Sequence, residues 1–303
     1  MANFGTKDIK KLREMSGAGM MDCKKALTAT DGDIEKAIEW LRKKGLGDAA
    51  KKANKVAAEG SISMKIEEDR GVMIEINSQT DFVAKNEKFK QFVSEVLDHT
   101  FSNNFTDVEE ILSSEYNGEK FEEYLSLQIA TIGENLVVRR VATLKGGDGV
   151  AVNGYVHAGG RVGVLVAVEC EGLECYKMGD ALKNVAMHSA AMNPKYLNEE
   201  SVPADVIEKE REIAKEQLLK EGKPEKILDK ILPGKIKRFL QDNTLENQKF
   251  VMDDKVTVGE YLRRVAKESG GSAKIVDYVR FELGEGVEKK DEDFAAEVAK
   301  QMR

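Results

Sequence analysis

Apolar positions in the first 45 residues recur at helical spacing in three short runs. Ile9, Leu12 and Arg13 set the period of the first, which runs from Thr6, a candidate N-cap, to about Met15. Ser16-Gly17-Ala18-Gly19 then breaks it. The second begins near Met20-Met21-Asp22 and turns Cys23, Ala26 and Leu27 inward. After Asp31-Gly32-Asp33 the third carries Ile34, Ala37, Ile38 and Leu41, with Gly45 and Gly47 as the expected stop. Three short helices with glycine turns predict a compact bundle with a small core, suited to attachment. Met20 and Met21 read either as core or as contact residues. Being adjacent at a helix entry, they do not both face inward, and methionine adapts readily to a partner surface.

Beyond a basic, alanine-rich linker from Lys51 to Ala58 the period changes, and one pattern occurs twice. From Gly60 the chain reads SISMKI, a turn at Glu68-Asp69-Arg70-Gly71, VMIEI, then a helix to Leu97. From Gly154 it reads YVHA, a turn at Gly159-Gly160, RVGVLVAVEC, then a helix from about Met178 to Met192. Gly71 and Gly163 fall at nearly the same offset, and this weak duplication predicts two related α+β halves. Between them, 108–112 and 121–132 are expected to be helical. Gly133-Glu134-Asn135 then turns the chain into a strand over 136–141. Residues 203–242 differ in kind. Pro203 opens a charged helix and Pro224 the next, whose Ile227, Leu228, Ile231, Leu232, Ile236 and Phe239 keep helical spacing past a kink expected at Pro233-Gly234. That pair predicts an antiparallel helical hairpin, through which self-association is an option but not a necessity. A final short helix over Asp291–Met302 requires docking to be stable. The expected parts are thus 1–55, a bundle and linker; 56–149, one core half; 150–202 and 247–283, the other; 203–246, the inserted hairpin; and 284–303, a terminal helical module.

The stretch Ile74 to Asn86, IEINSQTDFVAKN, passes from strand alternation to helical spacing. Such a junction lies at the rim of a sheet, where a partner can be touched. Thr80 is a reasonable N-cap that would project Asp81 and Phe82 from a short turn. Extending one helix back from Phe89, Phe92, Val93, Val96 and Leu97 instead puts Phe82 on the core stripe. Against that, Lys85 and Asn86 interrupt the stripe and Asn86 can cap a second helix. Spacing leaves both readings open.

A chain of 303 residues, 41% of them hydrophobic, supports more than one core. The net charge of −7 argues against general affinity for nucleic acid, but residues 1–55 carry 13 Lys and Arg against 8 Asp and Glu. A basic head on an acidic body suits an acidic contact surface or a solvated helix face. Cys23, Cys170 and Cys175 show no framework spacing, so a reduced intracellular chain is expected. Adding His157 and His188 to the last two cysteines gives no metal-binding spacing. No signal-like start is read, and the longest apolar run, Val162 to Cys170, is too short to span a bilayer; a cytoplasmic location is expected. The phosphate-loop, zinc-helix and serine-elbow patterns are absent, and His99, His157 and His188 are the only histidines. The expectation is a non-enzyme, without cofactor or metal, that works by contact.

Two stretches, LREMSGAGMMDCKKAL at 12–27 and IEINSQTDFVAKN at 74–86, give the chain a resemblance to the bacterial elongation factor Ts family. IGENLVVRRVA at 132–142, GGRVGVLVA at 159–167 and RFELGEGVEKKDEDFAAEVA at 280–299 extend the likeness over the whole length. Ser16 stands where that family usually has Thr, Lys249 interrupts a stretch usually written QPFVM, and 171–180 looks like extra length. The resemblance implies an N-terminal bundle of ubiquitin-associated type, an α+β core in two halves with antiparallel sheets, and a C-terminal docking helix. It implies guanine nucleotide exchange on elongation factor Tu, without direct nucleotide, nucleic-acid or membrane binding. Arg13, Met20, Met21 and Lys24 would meet the partner's G domain. Thr80, Asp81, Phe82 and Val83 would form the wedge that displaces Mg²⁺, and Ile132, Gly133, His157, Val251 and Met252 would add contacts. Rival readings are a ubiquitin-binding scaffold through the first bundle, and an enzyme using Asp81 and His157, which no motif supports.

Overall fold

The computed structural model describes residues 4–67 and 70–288. The helical stripes of the N-terminus become α1 (Thr6–Ser16), α2 (Met20–Ala29) and α3 (Ile34–Lys52). Leu12, Ala18, Cys23, Ala26, Leu27, Ala37 and Leu41 form their core. Two local expectations are corrected. Gly5, not Thr6, occupies the N-cap of α1, where its amide donates to the Asp8 carboxylate at 2.8 Å. Nor does α3 stop at Gly45. It runs two turns further because Gly45 is packed on another helix, and a Cβ there would lie 3.4 Å from the Leu127 backbone.

The strands and helices that follow are β1 (Glu59–Glu67), β2 (Arg70–Ser78), α4 (Asp81–Ala84), α5 (Glu87–Asn103), α6 (Val108–Ser113), β3 (Glu115–Tyr116), β4 (Glu119–Lys120), α7 (Phe121–Ile132) and β5 (Val137–Lys145). The second half supplies β6 (Val150–His157), β7 (Val162–Glu171), α8 (Gly179–Met192), α9 (Ala204–Lys220), α10 (Glu225–Asn243), β8 (Lys249–Phe250), β9 (Asp253–Thr257), α11 (Val258–Glu268) and β10 (Ser272–Glu282). Contacts divide the described residues into two compact units. One lies within Met1–Ser63, Ile74–Ala142 and Glu282–Arg303; the other is Met64–Met73 with Thr143–Phe281.

The twofold pattern of the sequence reappears as topology. One sheet has the order β1-β2-β5 and the other β6-β7-β10, so in each a hairpin's second strand sits centrally and a later strand closes the sheet. The fold is α+β with antiparallel sheets, and both hairpins lead into a helix. Each hairpin's first strand carries a glycine against its second, Gly60 in β1 and Gly154 in β6. A Cβ on Gly60 would sit 2.1 Å from the Ile76 carbonyl oxygen, and one on Gly154 would sit 2.5 Å from that of Val164. Only glycine permits so close a strand approach. In the second sheet, Val164, Val166 and Val168 of β7 pack with Leu182 and Val185 of α8, Leu262 of α11 and Ile275 of β10.

The inserted hairpin is α9 and α10, closed by Ala214 and Leu218 against Leu228 and Leu232. Among the predicted seam residues Ile227 is exposed, and α10 continues through Pro233. The hairpin's two ends are pinned together: the Lys195 amide donates to Asn243 O at 2.9 Å, and Leu245 to Tyr196 O at 2.8 Å. The expected terminal helix, Asp291–Met302, and the module at 284–303 that depends on it lie largely outside the described residues.

Cys170 and Cys175 form a disulfide, correcting the expectation of three reduced thiols. The end of β7 and the following 3-10 turn (Cys175–Met178) bring the two Cα atoms to 5.7 Å, within bridging reach. Cys23 stays free and buried. No helix among the described residues is long and apolar enough to cross a membrane.

Alternation in Val72-Met73-Ile74-Glu75-Ile76 would give β2 one wet face, yet Glu75 is 0% exposed. Its carboxylate accepts from Arg139 Nη1 at 2.9 Å, from Arg140 Nε, from the Gly284 amide at 2.9 Å and from Asn77 Nδ2 at 3.1 Å. Burial alone would raise its pKa; the Gly284 amide, then Arg140, Arg139 and Asn77, outweigh that and hold it below the usual carboxylate range. Its stabilisation is therefore complete above the ordinary glutamate range and lost as pH falls through the lower folded value. Glu75→Ala takes the buried carboxylate from the Gly284 amide and from Arg139 and Arg140, which keep their acceptors on Glu282 and Glu285, and urea unfolding is expected to show a loss of about 3–5 kcal/mol.

Candidate functional site

The junction after β2 is a turn with its own scaffold. Ser78 Oγ donates to Thr80 O at 3.1 Å, and Thr80, in extended conformation, caps α4 by accepting from the Val83 amide at 3.3 Å. α4 is a single turn. Asn86 is again extended, and its Oδ1 accepts from the Lys88 amide at 2.9 Å to start α5. Two caps in seven residues break the helical phase. Phe89, Phe92, Val93, Val96 and Leu97 enter the core as their spacing predicts, whereas Phe82 stands 80% exposed. Of the two readings left open by the sequence, the core placement of Phe82 is overturned. Asp81 is exposed beside it, and the Lys85 ammonium 2.7 Å away holds its carboxyl below the usual range. Val83 is half-buried.

A residue 54 positions away fixes this turn. Glu134 Oε2 accepts from the Gln79 and Thr80 amides, each at 3.0 Å, and Oε1 accepts from the Thr80 hydroxyl at 2.7 Å. Glu134 follows the end of α7, where Gly133 takes a left-handed φ of 94° as the helix C-cap. Ile132 is half-buried and Gly133 exposed at that end. The structure therefore gathers Thr80, Asp81 and Phe82 with the Ile132–Gly133 corner. α7 is in turn seated on α3 through Gly45 and through the Lys52 ammonium, which donates to Ile129 O at 3.3 Å, and an Arg42–Glu119 ion pair at 2.9 Å ties α3 to β4 just before α7.

At the α1–α2 corner Arg13, Met20, Met21 and Lys24 are all exposed, both methionines included. In the second unit His157 ends β6, exposed, with its Nδ1 3.0 Å from the Tyr155 hydroxyl. Val251 and Met252 form the exposed tip between β8 and β9. That tip is held from beneath by His188 of α8. The Val251 amide donates to His188 Nδ1 at 3.1 Å, so Nε2 carries the ring proton and donates to Gln248 Oε1 at 2.9 Å. Gln248 Nε2 completes the link by donating to Asp242 O at 2.8 Å.

Comparison with known proteins bears on the whole chain. A family model described as "Elongation factor TS" matches residues 79–285, and one described as "UBA/TS-N domain" matches residues 6–41. A protein named Elongation factor Ts from a Nitratiruptor species is 56% identical, covering 97% of this chain and 98% of its own length. Those of Nautilia profundicola and a Sulfurovum species are 53% and 51% identical, covering 99% and 100% of both chains. The chain belongs to the elongation factor Ts family.

Two side chains of the site are not legible in the sequence as parts of it. Glu134 was legible only as one residue of a turn, because every donor it serves lies at 79–80. His188 read as an isolated histidine, because Val251 and Gln248 reach it from 60 or more positions away. An acidic residue directly after a helix-ending glycine is a usable signal for the first; nothing local marks the second.

Burial holds the His188 pKa below the usual histidine value, with Gln248 opposing. The neutral ring's stabilisation is present above the unfolded histidine pKa and lost as pH falls through the depressed folded value. Melting temperature is expected to decline between about pH 7 and about pH 5. In His188→Gln that slope should flatten, which differential scanning calorimetry across the range would register.

Proposed function

We propose that the chain is a guanine nucleotide exchange factor for elongation factor Tu, acting as a binding protein rather than an enzyme. The observation that carries this reading is Phe82, a large aromatic standing 80% exposed on a one-turn helix whose entrance is fastened by Glu134. Membership of the elongation factor Ts family supports the partner. Asp81 and Phe82, with Thr80 and Val83 behind them, form the tip that disturbs the partner's Mg²⁺ and phosphate site. The footprint is completed by Arg13, Met20, Met21 and Lys24, by Ile132 and Gly133, and by His157, Val251 and Met252.

Exchange follows from linkage. A factor that binds the nucleotide-free partner more tightly than the nucleotide-bound form weakens nucleotide binding by the same ratio. Burying one phenylalanine is worth roughly 1.5–3 kcal/mol, one to two decades in an equilibrium constant. That is too little to eject a tightly held nucleotide alone, so the wider surface must hold the tip against the metal site. Mg²⁺ bridges the phosphates, and moving its ligands loosens the nucleotide.

Phe82→Ala removes no core contact, and its melting temperature is expected to stay within about 0.5 kcal/mol equivalent of the parent. Stopped-flow release of a fluorescent GDP analogue from elongation factor Tu is expected to slow by about one to two decades. Unchanged release with a normal fold would remove the tip from the mechanism.

A further inference from the structure

We propose that Glu134 is a positioning residue for exchange, the side chain that makes the Thr80–Ala84 tip rigid enough to act as a wedge. This rests on the reading of Phe82 given above. A four-residue helix has no stability of its own, since it cannot offset the entropy of its nucleation. The tip's own restraints are all local: the Thr80 cap, the Ser78 hydroxyl on Thr80 O, the backbone bonds of a single turn, and an Asp81–Lys85 pair open to solvent. Glu134 adds three charge-assisted bonds to one carboxylate, and they converge on the two residues just before the helix. They also use the Thr80 hydroxyl in both directions, since it donates to Glu134 while accepting from Val83.

The other end of this restraint is equally firm. Gly133 closes α7, and α7 is packed along α3 of the N-terminal bundle. The bundle, α7, Glu134 and the tip thus form one mechanical series inside a single compact unit. Push back on Phe82 from a partner is carried through Thr80 and Glu134 into α7 instead of folding the tip aside. Because the rest of the footprint supplies affinity, loss of Glu134 lowers the fraction of complexes with the tip engaged more than it lowers the number of complexes.

The test uses the full chain with elongation factor Tu loaded with a fluorescent GDP analogue. Glu134→Ala is expected to lower the release rate at saturating factor about tenfold, while the half-saturating concentration changes less than about threefold. Glu134→Gln keeps one carbonyl acceptor and is expected to recover part of the rate; it also serves if the alanine variant folds poorly. In Glu134→Ala/Phe82→Ala the rate should match Phe82→Ala alone, because both changes remove the same engaged tip. Hydrogen exchange of the Gln79 and Thr80 amides in the free factor should accelerate in the Glu134 variants. A parental saturated rate in Glu134→Ala, multiplicative losses in the double variant, or unchanged exchange at the two amides would each overturn the assignment. If Glu134→Ala is parental while Phe82→Ala is slow, the wedge survives and only its brace is wrong. If both are parental, the underlying reading of Phe82 fails with it.

Discussion

A carboxylate with no access to water governs the first unit. Glu75 sits in the middle of β2 with no exposed surface, and an ion so placed persists only where its lone pairs are met. Arg139 and Arg140 come from β5, and the Gly284 amide comes from a stretch 209 positions later in the chain. Three remote segments are therefore tied at one point. β2 cannot slip along β5 by even one residue without facing the wrong group into that charge. The junction at Gln79–Thr80 begins directly beyond this clamped strand, so the exposed aromatic follows a strand fixed at Glu75.

Two polar caps do the opposite work. Thr80 and Asn86 each end one backbone regime and start another, and between them the chain makes a single turn. With a good helix former in place of Asn86, helical spacing would carry Phe82 onto the stripe of Phe89 and Phe92. Local side chain to backbone bonds thus win over hydrophobic periodicity at this point. The exposure of the aromatic depends on that local victory.

What the sequence disclosed, and what it hid, follows from the range of each interaction. Amphipathic helices, hairpins and their duplication rest on contacts a few residues apart, and α2, β1, β2, α7, β7 and α8 appear close to where the spacing predicts, whereas β6 begins at Val150 and α5 runs on to Asn103. Asn86 as a cap was equally legible, though it competed with the stripe. The length of α3 was not, because Gly45 reads as a stop signal and is instead a packing site for Leu127. Glu75 looked like the wet half of an alternating strand, since its arginines lie 64 and 65 positions away. The Cys170–Cys175 bridge is hidden for the reverse reason: framework spacing marks cysteines far apart in the chain, whereas this bond closes a short local loop.

The α9–α10 insertion carries a different consequence. Ala214, Leu218, Leu228 and Leu232 make a seam from the hairpin's own two helices, and the segments on either side meet at its base through Tyr196 and Leu245. The chain enters and leaves at one fastened neck. Such an appendage is a detachable cassette: it can be shortened, exchanged for another hairpin, or made to carry a reporter domain without altering the register of either sheet.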